Sequence, residues 1–474
     1  MSRAANADAT ALAEAIRRGD VTSVEAMQAS ISLANENGAL GAVCHLDAEL
    51  GLKAARALDE ERQRDPDRFS SRPFAGVPTL AKDLGGPFAG LPVTAGSRLF
   101  ERSGGDADSD LAARFRAAGF CPFGLTTSPE FGLSLASEPE IGPVCRNPLD
   151  PSRTAGGSSG GAAAAVASGI VSLAHATDAG GSIRVPAACC GLVGLKPGRG
   201  VMPAGPGFGN HLGGIASELA VTRSVRDAER VFEALRGNTR GPYADVTLTA
   251  PKTGSLRIGL LTDTGPRHPT APERRQAVED AARTLEADGH AIVPLGWPRI
   301  QQVVDRSGEI FGDIVSANLA ALVGALKLDI VRAETLTQAF IMRGRALSAT
   351  ELWNALSDAV LASRDLWRLF DEVDVVLTPM LSSAPLPVGS FPADHEDTEL
   401  HLDRMAAFAP LAAVANIAGV PAITLPFGED DNGLPLPVQI MGPMGGELQL
   451  IALAGRLEAE GRWQHRYPVA GIAA

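Results

Sequence analysis

The chain has 474 residues, of which 45% are hydrophobic and 20% are charged. This length and composition exclude a disordered chain, a collagen-like repeat and a small domain stapled by disulfides. With 42 Lys and Arg against 55 Asp and Glu, the net charge of −13 disfavours binding to nucleic acid or to an anionic membrane surface. Few of the basic residues are lysines, namely Lys53, Lys82, Lys196, Lys252 and Lys327.

The first 70 residues are predicted to be helical. Thr22 and Glu25 form a capping-box pattern that opens a helix over residues 24–34, and Gly19 marks the end of a preceding helix. No basic segment followed by an apolar one comes after Met1, so we expect no secretory signal and a cytoplasmic location. The nearest candidate for a membrane span, residues 160–176, is mostly Ala, Gly and Ser, which indicates internal packing.

From residue 74 onward, short apolar strands alternate with helices, which predicts an α/β fold with a mixed, largely buried sheet. Ser109 or Asp110 is expected to cap one helix, and a Thr270–Glu273 capping box to open another that ends near Gly289. Residues 299–370 have helical periodicity with little strand signal, so we expect a helical insert beside the sheet. The predicted strands are 77–81, 170–176, 256–261, 291–295, 375–377, 422–425 and 438–441, and the other helices are 111–118 and 162–167.

The cysteines are too few and too scattered for a disulfide framework. No CxxC, HExxH or close His/Cys cluster is present, so we expect no metal site. The adjacent Cys189 and Cys190 are expected to be buried thiols rather than a redox pair.

The stretch from Arg153 to Gly191 carries the most informative pattern. It contains two glycine-flanked serine loops, Gly-Gly-Ser-Ser-Gly-Gly at residues 156–161 and Gly-Gly-Ser at residues 180–182. Glycine lets backbone N–H groups approach a ligand closely. A flexible linker is not normally followed by a buried helix, a strand and a second such loop, so we interpret the two loops as parts of one site.

Three kinds of chemistry use loops of this kind. A phosphate-binding loop needs Lys and then Ser or Thr after the glycines, and residues 160–162 provide neither. A nucleophile elbow fits better, because the pattern GxSxG is centred on both Ser158 and Ser159. The later histidines that could formally serve such a serine are His395, His401 and His465. His175 precedes the second loop and is expected to be a core histidine.

The third kind of site uses a lysine to activate a serine. Lys82 ends the apolar sequence FAGVPTLAKD at residues 74–83, where loss of hydration would lower its pKa. A neutral lysine can act as a general base towards a serine hydroxyl. The local sequence alone does not distinguish this interpretation from a solvated surface pair of Lys82 with Asp83.

Together, FAGVPTLAKD, GGSSGG and TDAGGSIRVPAACCGLVGLKP closely resemble the amidase signature family of serine hydrolases. The similarity covers residues 72–200 and again 373–460, where NIAGVP begins at Asn416 and LPVQI at Leu436. It implies an α/β fold, with a central mixed, twisted β-sheet covered by helices on both faces, in a single amidase domain over residues 1–474. The parts of that domain are expected to be an N-terminal helical segment at 1–70, a signature core at 72–230, a helical substrate-side insert at 299–370 and the C-terminal part of the core at 373–460.

The resemblance also implies which residues act. The triad of the family is Ser-Ser-Lys, and its motifs correspond to Ser182 as the nucleophile, Ser158 as a bridging serine preceded by a cis peptide bond, and Lys82 as the base. The backbone N–H groups expected to form the oxyanion hole are those of Ala179, Gly180, Gly181 and Ser182. The residues expected to support this arrangement are Asp178, Arg184 and Ser159. No cofactor and no metal are implied.

The resemblance is greatest to stand-alone bacterial amidases such as aryl acylamidases, urethanases and 6-aminohexanoate cyclic dimer hydrolases. We therefore expect an amidohydrolase that forms an acyl-enzyme with a small or aryl amide, or with a carbamate. A homodimer is compatible with this expectation, and a nucleic-acid or membrane partner is not expected. The alternatives are the glutaminase (A) subunit of a glutamyl-tRNA amidotransferase and an esterase with a Ser-His-Asp triad.

Overall fold

The computed structural model describes residues 7–206 and 211–472. The predicted capping box of Thr22 and Glu25 is formed, Gly19 ends the first helix in a left-handed conformation, and Ser109 caps the helix that follows it. The helices are α1 (Ala9–Arg18), α2 (Ser23–Glu36), α3 (Ala48–Arg64), α4 (Pro66–Ser71), α5 (Asp110–Ala117), α6 (Gly160–Ala167), α7 (Arg184–Cys190), α8 (His211–Gly214), α9 (Val225–Leu235), α10 (Pro272–Ala287), α11 (Gln301–Leu326), α12 (Thr335–Ala346), α13 (Ala349–Phe370), α14 (Thr398–Phe408), α15 (Ala412–Ile417) and α16 (Glu447–Glu458).

Within the described residues, the strands form one large mixed sheet and two small ones. They are β1 (Val43–Leu46), β2 (Pro78–Lys82), β3 (Cys121–Thr126), β4 (Arg146–Asn147), β5 (Asp150–Thr154), β6 (Leu173–Asp178), β7 (Val193–Lys196), β8 (Ser217–Thr222), β9 (Arg257–Leu260), β10 (Ala291–Pro294), β11 (Val375–Pro379), β12 (Ala422–Glu429) and β13 (Pro435–Met441). The large sheet has the order β10-β9-β11-β13-β12-β7-β8-β6, and a three-stranded sheet has the order β1-β3-β2. The strands β10, β9 and β11 are parallel, whereas β6 is antiparallel to β8. The predicted α/β fold with a mixed sheet is confirmed.

The smaller sheet meets the larger one where β2 lies beside β6. Thr79 Oγ1 donates to the carbonyl of Leu173 at 3.0 Å, and the backbone N–H of Lys82 donates to His175 Nδ1 at 3.1 Å. Lys82 is the last residue of β2, and Asp178 is the last residue of β6. The contact between the strands therefore brings Lys82 next to the second glycine–serine loop.

The core is close-packed around α6, whose residues are all buried. Seven of its eight residues are Gly or Ala, and α6 contacts β6 and α7, because small side chains allow close approach of neighbouring backbones. One apolar cluster extends from Ala9 to Val469. A single domain over residues 1–474 stays a prediction, which this continuous cluster supports.

Two expectations about helices are wrong. Thr270 does not cap α10, which begins after Ala271 with Pro272 at its first turn; the Thr270 hydroxyl instead lies 2.9 Å from that of Thr264. Residues 160–176 are not the most membrane-like stretch either. By length and composition alone α11 is apolar enough to cross a membrane, and 44% of its most apolar window is buried inside the protein.

Candidate active site

Lys82 and Ser158 are in direct contact. Lys82 Nζ lies 2.7 Å from Ser158 Oγ and donates to Thr177 Oγ1 at 2.8 Å. The peptide bond between Gly157 and Ser158 is cis, as the family resemblance implies. The structure thus brings together the end of β2, the first glycine–serine loop and the end of β6.

The environment of Lys82 favours the neutral amine. The side chain is only 1% exposed, and burial lowers the pKa of Lys82 to about 7 even though the carboxylates of Asp178 and Glu218 act in the opposite direction. The alternative of a solvated pair with Asp83 is wrong. The Asp83 carboxylate accepts from the backbone N–H and the hydroxyl of Thr94, at 2.6 and 2.7 Å.

Ser182 lies in the turn between β6 and α7, and it borders the same cavity as Ser158. Val185 N donates to Gly181 O at 2.7 Å, at the start of α7. Gly181 has φ +107°, and a Cβ there would lie 2.8 Å from that of Ala412. Because this conformation and this space suit only glycine, the turn presents Ser182 in a fixed position.

A buried ion pair stabilises the turn that carries Ser182. Arg184 Nε donates to Asp178 Oδ2 at 3.0 Å, and both side chains are fully buried. The guanidinium also donates to Gln439 Oε1 at 2.8 Å and to Asn416 Oδ1 at 2.7 Å. Burial alone would raise the pKa of Asp178, but Arg184 outweighs it and lowers that pKa to about 2. Asp178 and Arg184 therefore brace the loop, and neither lines the cavity.

The backbone N–H groups of the turn differ in their availability. Gly181 N donates to Asp178 Oδ1 at 2.7 Å, so the expected donor set includes one N–H that already has an acceptor. Within residues 7–206 and 211–472, the N–H groups of Ala179, Gly180 and Ser182 have no hydrogen-bond acceptor. Three unpaired donors beside a serine that borders a cavity can stabilise a negatively charged oxygen.

We expect the substitution Arg184→Met to lower the free energy of unfolding by about 3–5 kcal/mol, because it leaves the buried Asp178 carboxylate without its cation. Denaturant unfolding of the purified variant measures this loss. The double substitution Asp178→Leu with Arg184→Met removes both charges and is expected to recover part of it. Equal unfolding midpoints for wild type and Arg184→Met would contradict the bracing role.

The structure does not support a nucleophile elbow at Ser159. Ser159 is fully buried, and its hydroxyl donates to the carbonyl of Thr177 at 3.3 Å. His401 Nε2 lies 2.9 Å from the Leu133 carbonyl, and His465 Nε2 lies 2.7 Å from the Arg223 carbonyl. In the part of the chain that is described, no histidine forms a hydrogen bond with a serine of either loop.

The cavity above the two serines has a volume of about 580 Å³. Apolar side chains from the core and from α11 line most of it, including Phe131, Phe311, Val315 and Leu319. Among the described residues no charged side chain lines the cavity. Its wall therefore suits an uncharged, largely apolar molecule.

Several site residues were not identified from the sequence. Thr177 is the second hydrogen-bond partner of the Lys82 amine. Its position directly before Asp178 in the TDAGGS motif is the sequence feature that could have identified it. Asn416 and Gln439 hold Arg184, and both lie within the NIAGVP and LPVQI segments that carry the family resemblance. The insert at 299–370 was expected on the substrate side, but nothing in the local sequence singles out Phe311, because its position depends on how α11 packs.

The chain is similar to several known proteins over most of its length. A family model described as Amidase matches residues 22–451. A Mycobacterium tuberculosis protein named as the amidase AmiC is 35% identical over 470 residues, covering 96% of this chain and 95% of that protein. A solved structure of 6-aminohexanoate cyclic dimer hydrolase has a TM-score of 0.88 at 29% identity and covers 97% of this chain and 98% of its own. The structure of a bacterial aryl acylamidase of the amidase signature family has a TM-score of 0.85 at 26% identity and covers 98% of both chains.

Proposed function

The chain belongs to the amidase family of hydrolases that act on amides, and on this basis we propose that it hydrolyses small, uncharged amides through an acyl-enzyme on Ser182. Ser158 and Lys82 relay the proton. The observation that carries the proposal is the 2.7 Å contact of Lys82 Nζ with Ser158 Oγ. It lies next to a turn in which three N–H groups have no acceptor among the described residues.

Proton transfer begins at Lys82. One N–H of its amine is donated to Thr177 Oγ1 at 2.8 Å, which leaves the nitrogen lone pair of the neutral amine for the proton of Ser158. Ser158 in turn accepts the proton of Ser182 as Ser182 Oγ attacks the amide carbonyl. Ser158 then returns a proton to the leaving nitrogen, the C–N bond breaks, and water hydrolyses the acyl-enzyme by the same relay.

The oxyanion of the tetrahedral intermediate is stabilised by backbone N–H groups. We assign this role to Ala179, Gly180 and Ser182, whose N–H groups have no other acceptor among the described residues. The N–H of Gly181 is already donated to Asp178 and contributes mainly by fixing the turn. One donor of this kind typically lowers the barrier by about 3 kcal/mol.

The substrate class follows from the cavity wall. Its largest side chains are apolar and it has no charged one among the described residues, so an aryl or alkyl amide loses little on leaving water. Glutamine carries an ammonium and a carboxylate, and burying either without a charged partner is costly. The cavity therefore disfavours a glutaminase subunit. Aryl carbamates share the apolar character and belong to the same proposed range.

A hydrolysis screen of the purified chain tests this function. We expect release of aniline from an uncharged anilide and of ammonia from an apolar primary amide. An aryl carbamate is the next substrate in the screen, and glutamine is expected to be inert. Hydrolysis of glutamine with no turnover of the uncharged amides would contradict the proposed substrate class.

A further inference from the structure

A buried histidine lies directly behind the Lys82 backbone. His175 is in the middle of β6 and is 1% exposed. The rings of Phe88 and Phe115 lie against it, with ring centroids 5.2 and 5.8 Å away. Its Nδ1 accepts the backbone N–H of Lys82 at 3.1 Å. Because an accepting nitrogen carries no proton, the ring is neutral and its proton is on Nε2.

The Nε2 side of this ring faces a buried carboxylate. Glu218 is in β8 and is 4% exposed. Its Oε1 lies 3.4 Å from His175 Nε2, an electrostatic contact rather than a well-directed hydrogen bond. The same oxygen accepts the N–H of Gly86 at 3.1 Å. His175 and Glu218 therefore hold the segment that carries Lys82 at two points, four residues apart.

Gly85 fits closely against this pair. It has φ +119°, and a Cβ at this position would lie 2.3 Å from Glu218 Oε1. The backbone between Lys82 and Gly86 thus passes directly over the carboxylate. Gly85 also lines the cavity, so the segment held by the pair is part of the site.

Two carboxylates act electrostatically on the Lys82 amine from neighbouring strands. Asp178, in β6, is bound by the Arg184 guanidinium, which offsets its charge. Glu218, in β8, has no Lys or Arg within ion-pair distance among the described residues, and the neutral His175 stands between it and Lys82. The uncompensated charge of Glu218 favours the protonated form of Lys82 and raises its pKa against the effect of burial.

We propose that His175 and Glu218 are positioning residues for Lys82, a buried pair that holds the backbone of the segment carrying Lys82 at two points and keeps a carboxylate behind it. This inference rests on the proposed function, since it gives Lys82 the role of base. It adds to that function two residues outside the triad that influence the pH range of activity.

The substitution Glu218→Gln tests the electrostatic part. The amide oxygen can still accept from Gly86, but the negative charge is removed. We expect the acid limb of the kcat/KM profile to move by about one unit towards lower pH, because the Lys82 ammonium loses a stabilising charge. Well below the limb, the variant is expected to be up to about tenfold more active than wild type.

The His175 variants test the positioning part. In His175→Asn the side-chain oxygen can replace Nδ1 as the acceptor for Lys82 N, whereas in His175→Leu that N–H is buried without a partner. We expect His175→Asn to retain a larger share of kcat than His175→Leu at similar KM. Equal losses of kcat in both variants would overturn the positioning role.

Glu447→Gln is the matched control for charge removal. Glu447 is also fully buried, and its Oε1 accepts the N–H of Gly198 at 2.8 Å, but it does not act on the pKa of Lys82. The acid limb of the kcat/KM profile of Glu447→Gln is expected to lie at the same pH as in wild type. If wild type hydrolyses amides and depends on Lys82, yet Glu218→Gln leaves the limb unmoved, only this inference fails. If wild type hydrolyses no amide, the proposed function itself fails.

Discussion

Replacement of Ser182 by alanine is expected to lower kcat at least about a thousandfold against an amide that wild type hydrolyses, with little change in KM. The substitution removes the atom that forms the acyl-enzyme and leaves the cavity wall nearly unchanged. Steady-state kinetics at a pH above 8 measures the loss, since Lys82 is then neutral. Thermal unfolding of the variant shows whether the fold is retained.

Ser159→Ala distinguishes this account from a nucleophile elbow. Ser159 is fully buried and its hydroxyl contacts the backbone of Thr177, so its loss is expected to lower kcat by less than about tenfold. A larger loss in Ser159→Ala than in Ser182→Ala would place the nucleophile in the first loop.

Lys82→Met is expected to have an effect of similar size, at least about a thousandfold in kcat. Methionine fills a similar volume but can neither donate to Thr177 nor accept the Ser158 proton. The same reasoning fixes the pH dependence of wild type. Because the active form has a neutral Lys82 with a pKa of about 7, kcat/KM is expected to fall about tenfold per pH unit below that value and to be level above it. A flat profile down to pH 5 would contradict a lysine base.

Lys196→Met is the matched control for Lys82. Burial also lowers the pKa of Lys196 to about 7, but its Nζ donates to the carbonyl of Pro197 at 2.7 Å rather than to a serine. We expect this variant to lose stability while its acid limb remains where it is in wild type. If the acid limb of the kcat/KM profile disappears in Lys196→Met, the base is Lys196 and not Lys82.

The sequence predicted strands at the positions of β2, β6 and β9 to β13 and missed others, among them β8 and β3, in which a polar or small residue interrupts the apolar run. In β8, Glu218 breaks the run, and the structure explains its place there by the Gly86 N–H that it accepts. In β3, Gly124 resembles a loop residue, but a Cβ there would lie 2.4 Å from the carbonyl of His45. Both residues are required by neighbours that are distant in the chain, which no local pattern reveals.

The candidate site was predictable to the extent that its residues are adjacent in sequence motifs. Ser158 and Ser182 stand in glycine loops, and Lys82 stands at the end of an apolar strand. The occupied N–H of Gly181 was not predictable, because it depends on the direction in which the Asp178 side chain turns. The part played by Glu218 was equally hidden, since β8 reaches Lys82 only through the pairing of β6 with β8 and the contact of β6 with β2.

The account depends most directly on which serine becomes acylated. Reaction with a fluorophosphonate probe, followed by proteolysis and mass spectrometry of the peptides, identifies that residue. We expect a single adduct on Ser182. Its rate of formation is expected to decrease as the pH is lowered below about 7, and the adduct is expected to be nearly absent in Lys82→Met. An adduct on Ser159, or labelling of Ser182 at the wild-type rate in Lys82→Met, would contradict the proposed relay.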